Sequence, residues 1–167
     1  MNKLAAITIA CFFTAPAMAE VRVDFIEGAP KDRFVVSNLG TCPLKAADVS
    51  LDLSGSAAGL IFDVTASGAG VEVFQPFEVV KGEQYLTALP VVRDGDRRIE
   101  LQIDGLPVGQ SVVFTIDVDD TAGEREITVS DSEIRGATVS LRTAQVENTA
   151  MFDQSAQAVM PGPDCAV

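Results

Sequence analysis

Val112-Val113-Phe114-Thr115-Ile116-Asp117-Val118-Asp119 is the stretch from which the fold follows. Val112, Phe114, Ile116 and Val118 alternate with Val113, Thr115, Asp117 and Asp119, a period of two that sends the two sets to opposite faces of a β-strand. One face of such a strand is expected to be buried and the other wet. The same alternation recurs to either side. Val21, Val23 and Phe25 interleave with Arg22 and Asp24; Val49, Leu51 and Leu53 with Ser50 and Asp52; Ile99, Leu101 and Ile103 with Glu100, Gln102 and Asp104. Ile127 with Val129, and Val139 with Leu141, continue the pattern, while the helical period is nearly absent.

Turn signals punctuate these runs at short spacing: Gly28-Ala29-Pro30, Asn38-Leu39-Gly40, Ser54-Gly55-Ser56, Ser67-Gly68-Ala69-Gly70, Asp94-Gly95-Asp96 and Gly105-Leu106-Pro107-Val108-Gly109. Regular strands between regular turns predict an all-β chain folded as a single antiparallel immunoglobulin-like β-sandwich of about eight or nine strands. Strands are expected near 20–27, 33–38, 47–53, 59–64, 71–80, 97–104, 111–118, 124–130 and 137–143, with a further one at 149–153; the Ala and Gln content of 145–158 would equally tolerate a short helix. Leu101 to Phe114, with Gly105 and Gly109 between, has the form of a hairpin.

The first 19 residues have a different character. Met1-Asn2-Lys3 gives a positive start, Leu4 to Phe13 an apolar run, and Ala17-Met18-Ala19 a small-x-small site, which together predict a signal peptide over 1–19 and a β-sandwich domain over 20–167. The expected location is the periplasm or the extracellular space. Cys11 lies inside the apolar run and the residue immediately after the cleavage site is not Cys, which argues against a lipid anchor. No later apolar stretch reaches the roughly 20 residues of a membrane helix. Loss of Lys3 with the leader leaves 11 basic and 24 acidic residues, a net charge of about −13. Such a balance argues against nucleic acid and anionic lipid as partners, both of which are bound by Lys and Arg. Cys42 and Cys165 remain after the leader is removed, and in an oxidising compartment they are expected to form one disulfide that pins the Pro161-Gly162-Pro163-Asp164 tail.

The chemistry available to this chain is narrow. It contains no His and no Trp, so Ser-His-Asp and Cys-His arrangements cannot be assembled. Its strongest candidate site is Asp117, Asp119 and Asp120: on a strand the first two share a face and the third follows where the strand ends. Three converging carboxylates, with backbone carbonyls and water, suit calcium, which takes six to eight hard oxygen ligands. Solvated turn residues are the plain alternative. Asp94-Gly95-Asp96 is a second acidic cluster, with Glu124, Asp131 and Glu133 as contributors from neighbouring turns; none of this has EF-hand spacing. Paired carboxylates also serve glycoside hydrolysis, but the aromatic platform for a sugar is missing, with Tyr85 the one Tyr. The Phe-rich run from Gly59 to Val80 reads chiefly as core. If Phe74 and Phe77 straddle Pro76 on an edge strand, they form an exposed apolar surface for a partner.

Four stretches carry a resemblance: 25–34 (FIEGAPKDRF), 52–63 (DLSGSAAGLIFD), 71–74 (VEVF) and 114–121 (FTIDVDDT). The chain resembles small secreted proteobacterial proteins named after the sponge aggregation factor core protein. That resemblance implies cell adhesion assisted by calcium, and no catalytic or binding motif is transferred with it. The expected function is therefore an exported, non-enzymatic β-sandwich protein for cell-surface or periplasmic interaction (adhesion- or aggregation-like), with calcium as the candidate cofactor. The alternatives are a periplasmic carrier of a small apolar ligand, held between the sheets near the Phe-rich run, and a carboxylate-based hydrolase.

Overall fold

Four phenylalanines set the register of one sheet. Phe25 stands opposite Phe34, and Phe34 opposite Phe114, in directly paired positions of adjacent strands. Their ring centroids lie 5.2 and 5.1 Å apart, and Phe77 adds a fourth ring 5.0 Å from Phe114. Aromatic contacts at such distances add roughly 0.5–1.5 kcal/mol each to the burial of the rings.

The computed structural model describes residues 18–68, 74–122 and 128–165. Eleven strands are present among them: β1 (Met18–Ile26), β2 (Asp32–Asn38), β3 (Ala47–Asp52), β4 (Ile61–Asp63), β5 (Glu78–Lys81), β6 (Leu86–Ala88), β7 (Arg98–Ile103), β8 (Ser111–Asp119), β9 (Thr138–Thr143), β10 (Glu147–Met151) and β11 (Gln157–Asp164). They form two antiparallel sheets, one in the order β11-β1-β2-β8-β4 with β5 also paired to β8, the other β10-β9-β3-β7-β6. The protein is an all-β sandwich, and its core lies between the facing sheets, where Val21, Val23, Phe34, Phe114 and Ile116 meet Val49, Leu51, Leu101, Val139 and Leu141 in one buried cluster. No helix among the described residues is long and apolar enough to cross a membrane.

The extra strands beyond the expected eight or nine are short or carry turn residues. β6 has three residues and an irregular register. β11 contains Pro161, Gly162 and Pro163, which read as a tail in the sequence; proline is tolerated there because β11 is an edge strand and pairs only with β1. Residues 145–158 hold β10 and the start of β11 rather than a helix. The expected hairpin from Leu101 to Phe114 is instead a crossing between sheets, since β7 pairs with β3 and β6 while β8 pairs with β2, β4 and β5. The expected strand at 124–130 falls partly on 123–127, outside the described residues, as do Glu124 and Ile127. Beyond it, Ser130 and Glu133 form a capping box for a single helical turn, α1 (Asp131–Ile134). Of the expected 71–80 strand, residues 71–73 lie outside the described residues and β5 covers 78–81.

Cys42 and Cys165, separated by 123 positions in sequence, form a disulfide with Cα atoms 5.7 Å apart. It ties β11 to the β2–β3 connection. The same corner is held by Asn38, whose buried side-chain amide donates to the carbonyls of Cys42 and Leu106, both at 2.9 Å, and accepts from the Gly40 N–H. Gly40 is required here: a Cβ on it would fall on the backbone of Met18, Ala19 and Glu20. Residues 1–17 of the expected leader lie outside the described residues; Met18 and Ala19 open β1, with Ala19 buried.

Replacing both Cys42 and Cys165 by Ser should destabilise the protein by about 2–5 kcal/mol, read as a lower urea midpoint, because the unfolded chain regains the freedom of a long loop. Phe114→Ala should cost about 3–5 kcal/mol by the same measurement, through the cavity left between Phe34 and Phe77.

Candidate metal centre

The second half of β8 departs from the one-wet-face pattern. From Thr115 to Asp119 every side chain is buried, so Asp117 and Asp119 share a strand face that is covered rather than solvated. β4 pairs with this half of β8, and its register puts Asp63 directly opposite Asp117 and Ile61 opposite Asp119. Like charges facing each other across a pair of strands repel. Oxygen atoms of Asp63, Asp117 and Asp119 all lie within 4.8 Å of one another. Asp63 is 1 % exposed, yet neither of its carboxylate oxygens receives a hydrogen bond, and Oδ2 of Asp117 has none either. An unpaired buried carboxylate oxygen costs several kcal/mol in general, so such atoms in a folded protein call for a ligand or a proton.

Two further aspartates support the cluster from outside. Asp32, at the start of β2, is buried; its Oδ1 accepts from the Gly28 N–H and its Oδ2 from the Val118 N–H, each at 3.1 Å. Asp94 holds the loop beside β4, its Oδ1 accepting from Val64 and Thr65 at 3.1 and 3.2 Å. The Asp94 carboxyl stands against Asp63, where one proton can be shared between the two. The electrostatics follow. Burial pushes Asp32 up to about 8, against the pull of the Gly28 and Val118 amides. Burial, then the neighbouring carboxyls of Asp94 and Asp119, push Asp63 up to about 7. Burial, then Asp119 and Asp63, push Asp117 up to about 7.

Of the residues expected from the sequence, Asp117 and Asp119 meet. Asp120 is buried at the strand end but is not among the three that converge. Asp63 and Asp32 were missed, because one ends an apolar run and the other lies between Lys31 and Arg33 like a solvated charge. In the second expected cluster, Asp96 accepts from the Arg93 N–H at 2.8 Å and serves its own turn, while Glu133 caps α1. The exposed surface expected at Phe74 and Phe77 is not formed: Phe77 packs on Phe114 and Phe74 is half-buried.

The three carboxylates could hold a hard cation of the calcium type, which takes oxygen donors; Zn²⁺ prefers the nitrogen and sulfur donors that this cluster lacks. A cavity of about 220 Å³ opens elsewhere, beside the disulfide, lined by Pro43, Lys45, Ala46, Ala144, Pro163 and their neighbours. It lies at one end of the sandwich, and none of the Phe residues lines it.

The raised carboxyls make stability pH-dependent with a definite sign. Asp32, Asp63 and Asp117 bind protons more tightly folded than unfolded, so stability falls as pH rises from about 4, their unfolded value, through about 7 to 8. In chelator, the melting temperature should drop steadily between pH 5 and pH 9, both taken as approximate ends of that window. Asp32→Asn should flatten the upper part of the slope. A melting temperature independent of pH across this window would show that these groups are ionised alike in both states.

No protein-family model matches the chain, and no curated protein sequence matches it significantly.

Proposed function

We propose that the chain is an exported, non-enzymatic β-sandwich that works in cell-surface or periplasmic interaction, with calcium as a structural ion at Asp63, Asp117 and Asp119. One observation carries the calcium part: three buried carboxylates converge within 4.8 Å, and oxygens of two of them meet no donor. Their burial makes the ion a clasp between β4 and β8 rather than a bridge to another molecule, since little of the site is open for an outside ligand to complete the shell. Carboxylate hydrolysis of a sugar needs two carboxyls about 5 Å or more apart with substrate between them. Here they are packed against one another, which favours holding an ion.

Export rests on the leader, and the adhesive role on the resemblance of 25–34, 52–63, 71–74 and 114–121 to the aggregation factor core proteins. Cleavage after Ala19 would leave Glu20–Ile26 of β1, and the pairing of Val21–Ile26 with β2 would be kept. Failure of the purified mature protein to bind cells or envelope extracts, with or without calcium, would remove the interaction role.

The calcium reading makes a crossing pair of outcomes. An ion bound only by the folded state stabilises it by RT ln(1 + [L]/Kd), about 2.7 kcal/mol when calcium stands at 100 times Kd. For a domain of this size that is roughly 5 to 10 °C in melting temperature. Magnesium should give much less, because it holds its own waters and demands a tighter octahedral shell. Asp63→Asn should raise the midpoint in chelator, by removing the charge opposite Asp117, and abolish the calcium increment. Equal midpoints in calcium, magnesium and chelator would end the proposal.

A further inference from the structure

β6 forms the outer edge of its sheet, and past Ala88 the chain runs on as Leu89-Pro90-Val91-Val92-Arg93. Burial alternates along it. Pro90 and Val92 are half-buried, Val92 against the core, while Leu89, Val91 and Arg93 face solvent, Leu89 at 54 % and Val91 at 83 % exposure. That is the side-chain period of a β-strand. Yet Leu89, Pro90, Val91 and Val92 make no backbone hydrogen bond to any described residue. A row of unpaired N–H and C=O groups on an exposed edge is a template for an incoming strand.

The row is held in place at both ends. Ala88 is paired to Gln102 of β7. At the other end the Arg93 N–H donates to Asp96 Oδ2 at 2.8 Å, the Asp96 N–H donates to the Arg93 carbonyl at 3.0 Å, and Gly95 closes the turn at φ 78°. Fixing an edge before a partner arrives lowers the ordering cost of binding. Charge then selects the partner. The chain carries a net charge of −12, yet Arg93 and Arg97 beside this edge are exposed and make no ion pair with a described residue. Two free arginines repel a basic segment and attract an acidic one.

We propose that the edge from Leu86 to Arg93 is a strand-addition site for an extended acidic segment of a partner protein. The partner's main chain pairs with Leu89 and Val91, whose N–H and C=O groups share the outer edge, its apolar side chains lie on the same two residues, and its carboxylates meet Arg93 and Arg97. Pro90 turns to the opposite edge, where its missing N–H limits further pairing with β7 and leaves this row open. These observations are independent of the cation cluster.

The probe is a fluorescein-labelled, end-blocked peptide of alternating Val and Glu, seven residues long by choice, compared by anisotropy with its Val-Lys counterpart and with a version N-methylated at alternate amides. Saturable binding of the Val-Glu peptide is expected, weakening with added salt. It should fall about tenfold or more with Arg93→Glu/Arg97→Glu, whose thermal melt should match the parent, and the Lys and N-methylated peptides should not bind. No saturable binding, or equal binding of the N-methylated peptide, would overturn strand addition. Sedimentation runs alongside: a dimer of the parent that the same double substitution dissolves would give this edge to a second copy of the chain and overturn the acidic partner.

Discussion

The aromatic row from Phe25 through Phe34 and Phe114 to Phe77 is the contact on which the rest of the first sheet depends, because it fixes register where hydrogen bonds alone would not. Backbone ladders can close at any even shift; large rings that must pack against one another cannot. With Phe114 locked opposite Phe34, Asp32 is carried to the level of Ile116, where it reaches the Val118 amide. The far end of β8 is then presented to β4 with Asp117 facing Asp63. A slip of one residue in β8 would turn every side chain to the other face, taking Phe114 out of the core and Asp117 into it.

That rigidity explains how the chain tolerates a local conflict. Natural sequences mostly agree with their folds at every level, and departures concentrate where something other than stability is being served. Here the departure is an aspartate opposite an aspartate where β4 ends against β8, both buried. A surface carboxyl pair would relax by turning its side chains apart into water. Asp63 and Asp117 are walled in, and burial answers the conflict by raising their hold on a proton.

Much of this was legible in the sequence. The period of two located β1, β2, β3, β7, β8 and β9 to within a residue or two, and the parity of Cys42 and Cys165 gave the bridge. Asp117 and Asp119 were legible as a pair because strand geometry alone puts i and i+2 on one face. Asp63 was not, since its partnership with Asp117 is a matter of inter-strand register, which no local window contains. Asp120 was drawn in by adjacency, although the next residue along a strand points the other way. β11 was hidden by Pro161, Gly162 and Pro163, and β6 by its brevity. Phe74 and Phe77 looked like an edge surface from composition; only the position of Phe114 shows that Phe77 is the last ring of an interior row.

The corner that joins β1, β2 and β11 also determines how the domain would carry a mechanical load. Glu20 lies opposite Pro161, the Glu20 carbonyl accepts from the Leu39 amide, and Cys42 is bonded to Cys165. Tension applied at Glu20 and Cys165 therefore passes through Leu39 and Cys42, a path only a few residues long, and never crosses the aromatic row or the carboxylate cluster. Antiparallel strands pulled from adjacent ends part like a zip, one hydrogen bond at a time, but here the covalent bridge keeps the β11 side of the seam attached to the β2–β3 connection. A tethered copy of this domain would yield first by peeling the start of β1, with the interior still folded behind it.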